Sequence, residues 1–163
     1  MMEHLDLILA GLPEQHRVAL QWFHTHAGED SAWPGDLIEG MLLASKAKGI
    51  YKPAWMPYAL SVRQSINDPY PDREPKVRPD GTWSYLYFQE NRDPNARDSE
   101  YTNRGMMECW KDRMPVGVLL QVCERPRSRY RVLGVALVAG WNEGYFLLEG
   151  FSPDGLSCGC NPR

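Results

Sequence analysis

The strongest constraint on this fold is a change of hydrophobic period at Gly49. Before it, Val18, Trp22 and Phe23 recur at helical spacing, Pro13 stands where a first turn tolerates it, and Gly28 suits a C-cap. A second short helix is expected over residues 36–48, with Leu37, Met41, Leu42 and Ala44 inward and Gly49 ending it. After Gly49 the apolar residues become β-branched and aromatic. Residues 50–55 and 58–65 read as strands, and Trp83, Tyr85 and Tyr87 alternate with Ser84, Leu86 and Phe88 to give a strand with one aromatic face.

The same reading continues to the C-terminus. Thr102 can cap a helix containing Met106, Met107, Cys109 and Trp110 that stops before Pro115. Residues 116–123 form an apolar strand, Arg125, Arg127 and Arg129 a basic turn, residues 130–139 a long strand, and residues 145–149 a last strand after the turn at Asn142, Glu143 and Gly144. The expected fold class is α+β: a curved, mostly antiparallel sheet or β-barrel with an N-terminal helical cap and one helix inserted in the middle. Residues 1–48 make the cap, 49–150 the main body, and 151–163 a tail or linker. With 163 residues, of which 43% are hydrophobic, one domain with a real core is the default.

Two polar stretches interrupt the sheet pattern, residues 67–81 with Pro69, Pro71, Pro75 and Pro79, and residues 91–101. A loop of about 15 residues inside a compact domain is often functional. Charge is uneven along the chain. The net charge is −3, yet residues 46–131 hold 16 Lys and Arg against 11 Asp and Glu, while residues 1–45 hold Arg17 against seven acids. The basic middle can meet phosphates with an affinity that depends on salt. No apolar run approaches the roughly 20 residues that span a bilayer, and no secretory signal opens the chain, so a cytoplasmic protein without a membrane partner is expected. Four cysteines are too sparse for a disulfide scaffold, and Cys109 and Cys123 read as core thiols.

Standard catalytic signatures fail on their own terms. All four histidines lie within the first 26 residues, and His24 and His26 point about 200° apart on a helix, so no metal site and no cofactor are expected. Asp72, Glu74 and Lys76 are the residue types of a magnesium-dependent nuclease, but there the acid and the Glu-x-Lys usually sit on neighbouring strands. P-loop, dinucleotide and nucleophile-elbow motifs are missing. Recognition chemistry remains. Tyr70, Trp83, Tyr85 and Tyr87 occur with Asp68, Asp72, Arg63 and Lys76 in one span. A protein that extrudes a base needs aromatic faces to replace lost stacking and a carboxylate for the freed edge, with cations on the flanking phosphates. Taken alone, Trp83, Tyr85 and Tyr87 read more simply as one core face of a strand, with Asp68 and Asp72 as ordinary turn residues.

The order of these pieces resembles the SRA domain, the SET and RING-associated or YDG domain of the PUA-like superfamily, especially the prokaryotic form that precedes HNH nucleases in modification-dependent restriction enzymes. The resemblance runs through Gly49-Ile50, Tyr58-Ala59-Leu60-Ser61-Val62, Tyr70-Pro71-Asp72, Asp80-Gly81, the strand at 83–89, Asn103-Arg104, the segment 115–122 and Tyr130-Arg131-Val132. It implies a reader of duplex DNA that flips 5-methylcytosine or 5-hydroxymethylcytosine into an aromatic pocket, is not itself an enzyme, and works with an HNH nuclease domain or partner. By position it implies Tyr70 as the first stacking ring, Asp72 as the edge-binding carboxylate and Tyr85 or Tyr87 as the second ring, with Ser65 and Trp83 completing the pocket. Arg63, Lys76, Arg78, Arg92, Arg97 and Arg104 would contact the DNA backbone. An RNA-binding or small-ligand module on the same barrel is the alternative.

Overall fold

The computed structural model describes residues 4–31, 42–66, 74–123 and 126–157. Two helices open it, α1 (Leu5–Ala10) and α2 (Glu14–Thr25), followed by strands β1 (Asp30–Ser31), β2 (Ile50–Tyr51), β3 (Ser61–Gln64), β4 (Lys76–Val77) and β5 (Trp83–Phe88). A 3-10 helix, Pro94–Ser99, leads into α3 (Tyr101–Asp112), and β6 (Val116–Cys123), β7 (Arg129–Asn142) and β8 (Tyr145–Gly150) finish the sheet. The strand order is β2-β3-β6-β7-β8-β5-β4, with β1 paired to the first part of β7. Only β3 and β6 pair in parallel; the other described pairs are antiparallel. The fold class is therefore the expected α+β, with helices before the sheet and one helix between β5 and β6.

The sheet curls because its longest strand bends twice. β7 shifts register against β6 at Leu133 and against β8 at Ala139, and an extra residue in one strand of a pair increases twist and turns the strand. Alternation along β7 then sorts side chains onto two faces. Val135 and Leu137 meet Leu5, Leu9, Leu20 and Phe23 of α1 and α2, whereas Ala136 and Val138 face a second cluster that gathers Val62, Trp83, Tyr85, Tyr87, Val118, Phe146 and Leu148 with Met106 and Cys109 of α3. Strands from both ends of the order reach that second cluster, so it is the inside of the curl. Each Leu or Phe so buried stabilises the fold by about 1.5–3 kcal/mol.

The two ends of the curl meet beyond β2. The Tyr87 hydroxyl of β5 lies on Gly49, where a Cβ would fall into that hydroxyl and 3.2 Å from the Arg63 carbonyl oxygen, so only glycine leaves room. The Ile50 N–H counters part of the rise that burial imposes on the carboxyl pKa of Glu90, two residues past β5. Gly49 is thus where β5 comes up against the β2 edge of the curled sheet.

Several expected elements change. The helix expected over 36–48 is not helical at residues 42–48, and residues 36–41 lie outside the described residues. Ser45 Oγ instead accepts from the Ala47 and Lys48 N–H groups, each at 3.2 Å, and the Arg63 guanidinium donates to the Ser45, Lys46 and Lys48 carbonyls. A tertiary cation has taken the carbonyls a helix would use. The strand at 50–55 stops at Tyr51, one residue from Pro53, which has no N–H for a ladder. Strand β3 covers only residues 61–64 of the expected 58–65. The polar stretch 67–81 contains β4, and the stretch 91–101 contains the 3-10 helix, whose Asp93 carboxylate accepts from the Asn95 N–H at 2.9 Å. Glu100 holds the N-cap position of α3, with Thr102 buried in its first turn. Cys109 is buried and its thiol is pushed up by burial, but Cys123, at the end of β6, is exposed. Residues 151–157 pack back on the body: Phe151 is buried, and the Leu5 N–H donates to the Gly155 carbonyl at 2.8 Å.

Candidate nucleic-acid interface

The aromatic row lies on the inward face of β5. Trp83, Tyr85 and Tyr87 are 6%, 2% and 5% exposed, so in this conformation their rings are part of the inner cluster. Trp83 stands over Gly150, where a side chain would collide with the indole, and Tyr87 reaches across to Gly49. Ser84, Leu86 and Phe88 take the other face, as period two requires. Ser65 lies one residue beyond β3 and accepts from Arg63 Nη1 at 2.9 Å. Tyr70 and Asp72 lie outside the described residues. The segment that bears them leaves β3 at Gln64, and the chain rejoins the sheet at Lys76, where β4 pairs with the start of β5.

The next inward position after Tyr87 is polar, and a network begins there. Gln89 is 4% exposed; its Oε1 accepts from Trp141 Nε1 at 2.9 Å and its Nε2 donates to the Asn91 and Asp93 carbonyls. Fully buried Asn103 of α3 then grips Glu90, accepting from its N–H at 3.0 Å and donating to its carbonyl at 2.7 Å. Burial raises the Glu90 pKa against the opposing pull of the Ile50 N–H, Lys48 and Arg63. Lys48 in turn stands 5.6 Å from the centre of the exposed Tyr101 ring. None of Lys48, Gln89, Glu90 and Trp141 was singled out from sequence. The available signal was the period itself, since Gln89 continues the inward series 83, 85, 87 with a polar side chain that must find partners.

The six cations expected at a DNA backbone divide by what they already hold. Arg63 is spent on the carbonyls of residues 45–48. Arg78 pairs with Glu149 at 2.8 Å and donates to Thr82 Oγ1 at 3.1 Å, and the same hydroxyl donates to Asp80, whose carboxyl is held below its usual range by Thr82. Arg97 pairs with its neighbour Asp98 and stacks 4.6 Å from the Trp141 ring centre, while Arg104 donates to the Asp98 carbonyl. Lys76 and Arg92 are exposed, with no side-chain partner among the described residues. Among the described residues there is no group of three His, Cys, Asp or Glu able to hold a metal ion. Glu74 is exposed, and Asp72, its partner in a nuclease reading, lies outside the described residues. No helix of the described residues is long and apolar enough to cross a membrane.

The geometry defines an α+β protein with a curled sheet, an aromatic interior and a polar seam. No protein-family model and no curated protein matches this chain. Among solved structures it is similar to the crystal structure of KRYPTONITE in complex with mCHH DNA, an H3(1–15) peptide and SAH, at 14% identity and a TM-score of 0.41, over 98% of this chain. The match spans 40% of that protein's chain.

Proposed function

We propose that the protein is a binding module that reads a modified cytosine, 5-methylcytosine or 5-hydroxymethylcytosine, in duplex DNA by flipping the base into the curl of the sheet. The carrying observation is the row of inward rings on β5 that ends at a seam of polar groups. Extruding a base costs a few kcal/mol of stacking and pairing, which aromatic faces and bonds to the Watson-Crick edge must offset. In this reading Tyr70 and Tyr87 or Tyr85 stack on the base, Asp72 accepts from its edge, and Ser65 and Trp83 bound the pocket. Entry of the base requires the inner cluster to open beside Tyr87. Lys76 and Arg92 meet phosphates directly, whereas Arg63, Arg78, Arg97 and Arg104 hold the framework and reach phosphate only with their remaining N–H groups. The module's service is to modification-dependent restriction, with cleavage supplied by an HNH nuclease domain or partner.

Binding of duplexes identical except for cytosine, 5-methylcytosine or 5-hydroxymethylcytosine tests this reading. A preference of about tenfold or more for a modified base, roughly 1.4 kcal/mol, that disappears in Asp72→Ala is expected. Equal binding of all three duplexes would overturn it, and preferential binding of structured RNA would replace it.

A further inference from the structure

The basic turn of the sequence is the hairpin that joins β6 to β7, and the base-reading proposal leaves it unused. β3 ends at Gln64, beside Leu120, while β6 runs on to Cys123, so the hairpin projects past the neighbouring strand. Pairing sets the face its side chains take. Leu120 packs against the inner cluster and stands opposite Arg131, and alternation puts Arg129 on that same face. The inner face thus changes from apolar to cationic towards the hairpin. Arg131 is committed to Asp30, which accepts from its Nε at 2.8 Å and its Nη2 at 3.2 Å. Arg127 and Arg129 are exposed and make no hydrogen bond or ion pair among the described residues. The hairpin is also tied to the exit of β3: the Ile66 N–H donates to Gln121 Oε1 at 3.0 Å, and Gln121 Nε2 donates to the Cys123 carbonyl at 3.2 Å.

From this geometry we infer that the β6–β7 hairpin is a separate grip on duplex DNA, in which Arg127 and Arg129 hold backbone phosphates at the rim of the curl. The inference rests on the base-reading proposal and extends it to a part of the fold that the proposal leaves free. Phosphate is the ligand chemistry that fits. A guanidinium offers parallel N–H donors that match two phosphate oxygens and is weakly hydrated, so it gives up water readily. Asp30, the carboxylate facing this end of β7, is already neutralised by Arg131, so an incoming anion meets an excess of positive charge. Contacts to phosphate fix how a duplex lies but carry no information about its bases. The hairpin therefore supplies affinity common to modified and unmodified DNA, and the ring pocket supplies the preference between them.

The experiment measures binding of 5-methylcytosine and cytosine duplexes over a series of salt concentrations, with thermal unfolding of each protein alongside. It compares wild type, the double variant Arg127→Ala with Arg129→Ala, the matching pair of Arg→Lys substitutions, and Arg17→Ala on α2, whose Leu20 and Phe23 pack on the opposite face of the sheet. The alanine pair should flatten the slope of log affinity against log salt by about two, one released counterion for each lost phosphate contact. It should weaken both duplexes alike, leaving their ratio and the unfolding temperature as in wild type. The lysine pair keeps the charge and should keep the slope, and Arg17→Ala should leave it unchanged. A wild-type slope in the folded alanine pair overturns the inference, as does an equal flattening in Arg17→Ala, which would trace the effect to net charge. Loss of the preference for 5-methylcytosine in the alanine pair overturns it too, since the hairpin would then read the base. If wild type binds both duplexes equally, base reading fails while the slope still judges the hairpin; if it binds neither, both fail.

Discussion

Tyr87 can reach the β2 edge of the sheet because Gly49 has no side chain, so this contact adds to the packing that holds the curl. Gly49→Ala should destabilise the protein by about 1–3 kcal/mol, the usual cost of overpacking. Urea unfolding of Gly49→Ala and of the double variant with Tyr87→Phe checks the cause: removing the hydroxyl should recover about half of the loss or more, since the two positions are in direct contact. A second residue-scale effect sits on the helical side. His16 of α2 is fully buried, its two ring nitrogens have no partner among the described residues, and its ring meets Trp55 edge-on at 6.2 Å. Burial lowers its pKa from 6.5 to about 4. The unfolded chain therefore takes up the proton first as pH falls, so the stability present above pH 6.5 is lost progressively down to about pH 4. The loss amounts to about 3 kcal/mol. Unfolding midpoints measured between pH 7 and 4 should fall steeply in wild type and more gently in His16→Leu, which should be at least as stable at neutral pH because no buried polar atom is left unpaired.

At the scale of elements, α3 does more than fill the interior. Its Asn103 ties Glu90 on both sides and also donates to the Arg97 carbonyl at 3.1 Å, linking the helix, the end of β5 and the 3-10 turn. Asn103→Ala should cost about 2 kcal/mol or more, since it strands a buried N–H and carbonyl together. It should also raise hydrogen exchange in residues 89–100 while the centre of β7 stays protected. Preserved protection across 89–100 would show that Gln89 and Trp141 suffice to hold this segment. The Asn103-Arg104 pair was visible in sequence as the opening of a helix. Its grip on Glu90 was not, because a side-chain bond across 13 residues leaves no periodic trace. Similarly, residues 42–48 lack the helix their apolar spacing suggests because Arg63, far along the chain, supplies donors to their carbonyls, and local propensity is weaker than such a tertiary claim.

For the whole molecule, the uneven charge and the fate of each cation set how DNA would be held. The chain is net −3, so affinity should come from a few local contacts and fall with salt at a modest slope. Lys76→Ala and Arg92→Ala should each reduce the slope of log affinity against log salt by about one. Arg63→Ala should instead lower the unfolding temperature, because its guanidinium holds the loop at 45–48; the reverse pattern would place the phosphates on Arg63. The sequence by itself determined the fold class, the strands at 83–88 and 116–123 and the placement of the middle helix, since period and turn chemistry are local and repeat over many residues. It determined as well that Trp83, Tyr85 and Tyr87 share one face. Tertiary structure alone decided that this face turns inward, that Tyr87 comes up against Gly49 at the β2 edge, and that most of the expected phosphate-binding arginines are already engaged by carbonyls and carboxylates. Those outcomes depend on which groups meet across long stretches of chain, where hydrogen-bond satisfaction and packing volume choose the partners.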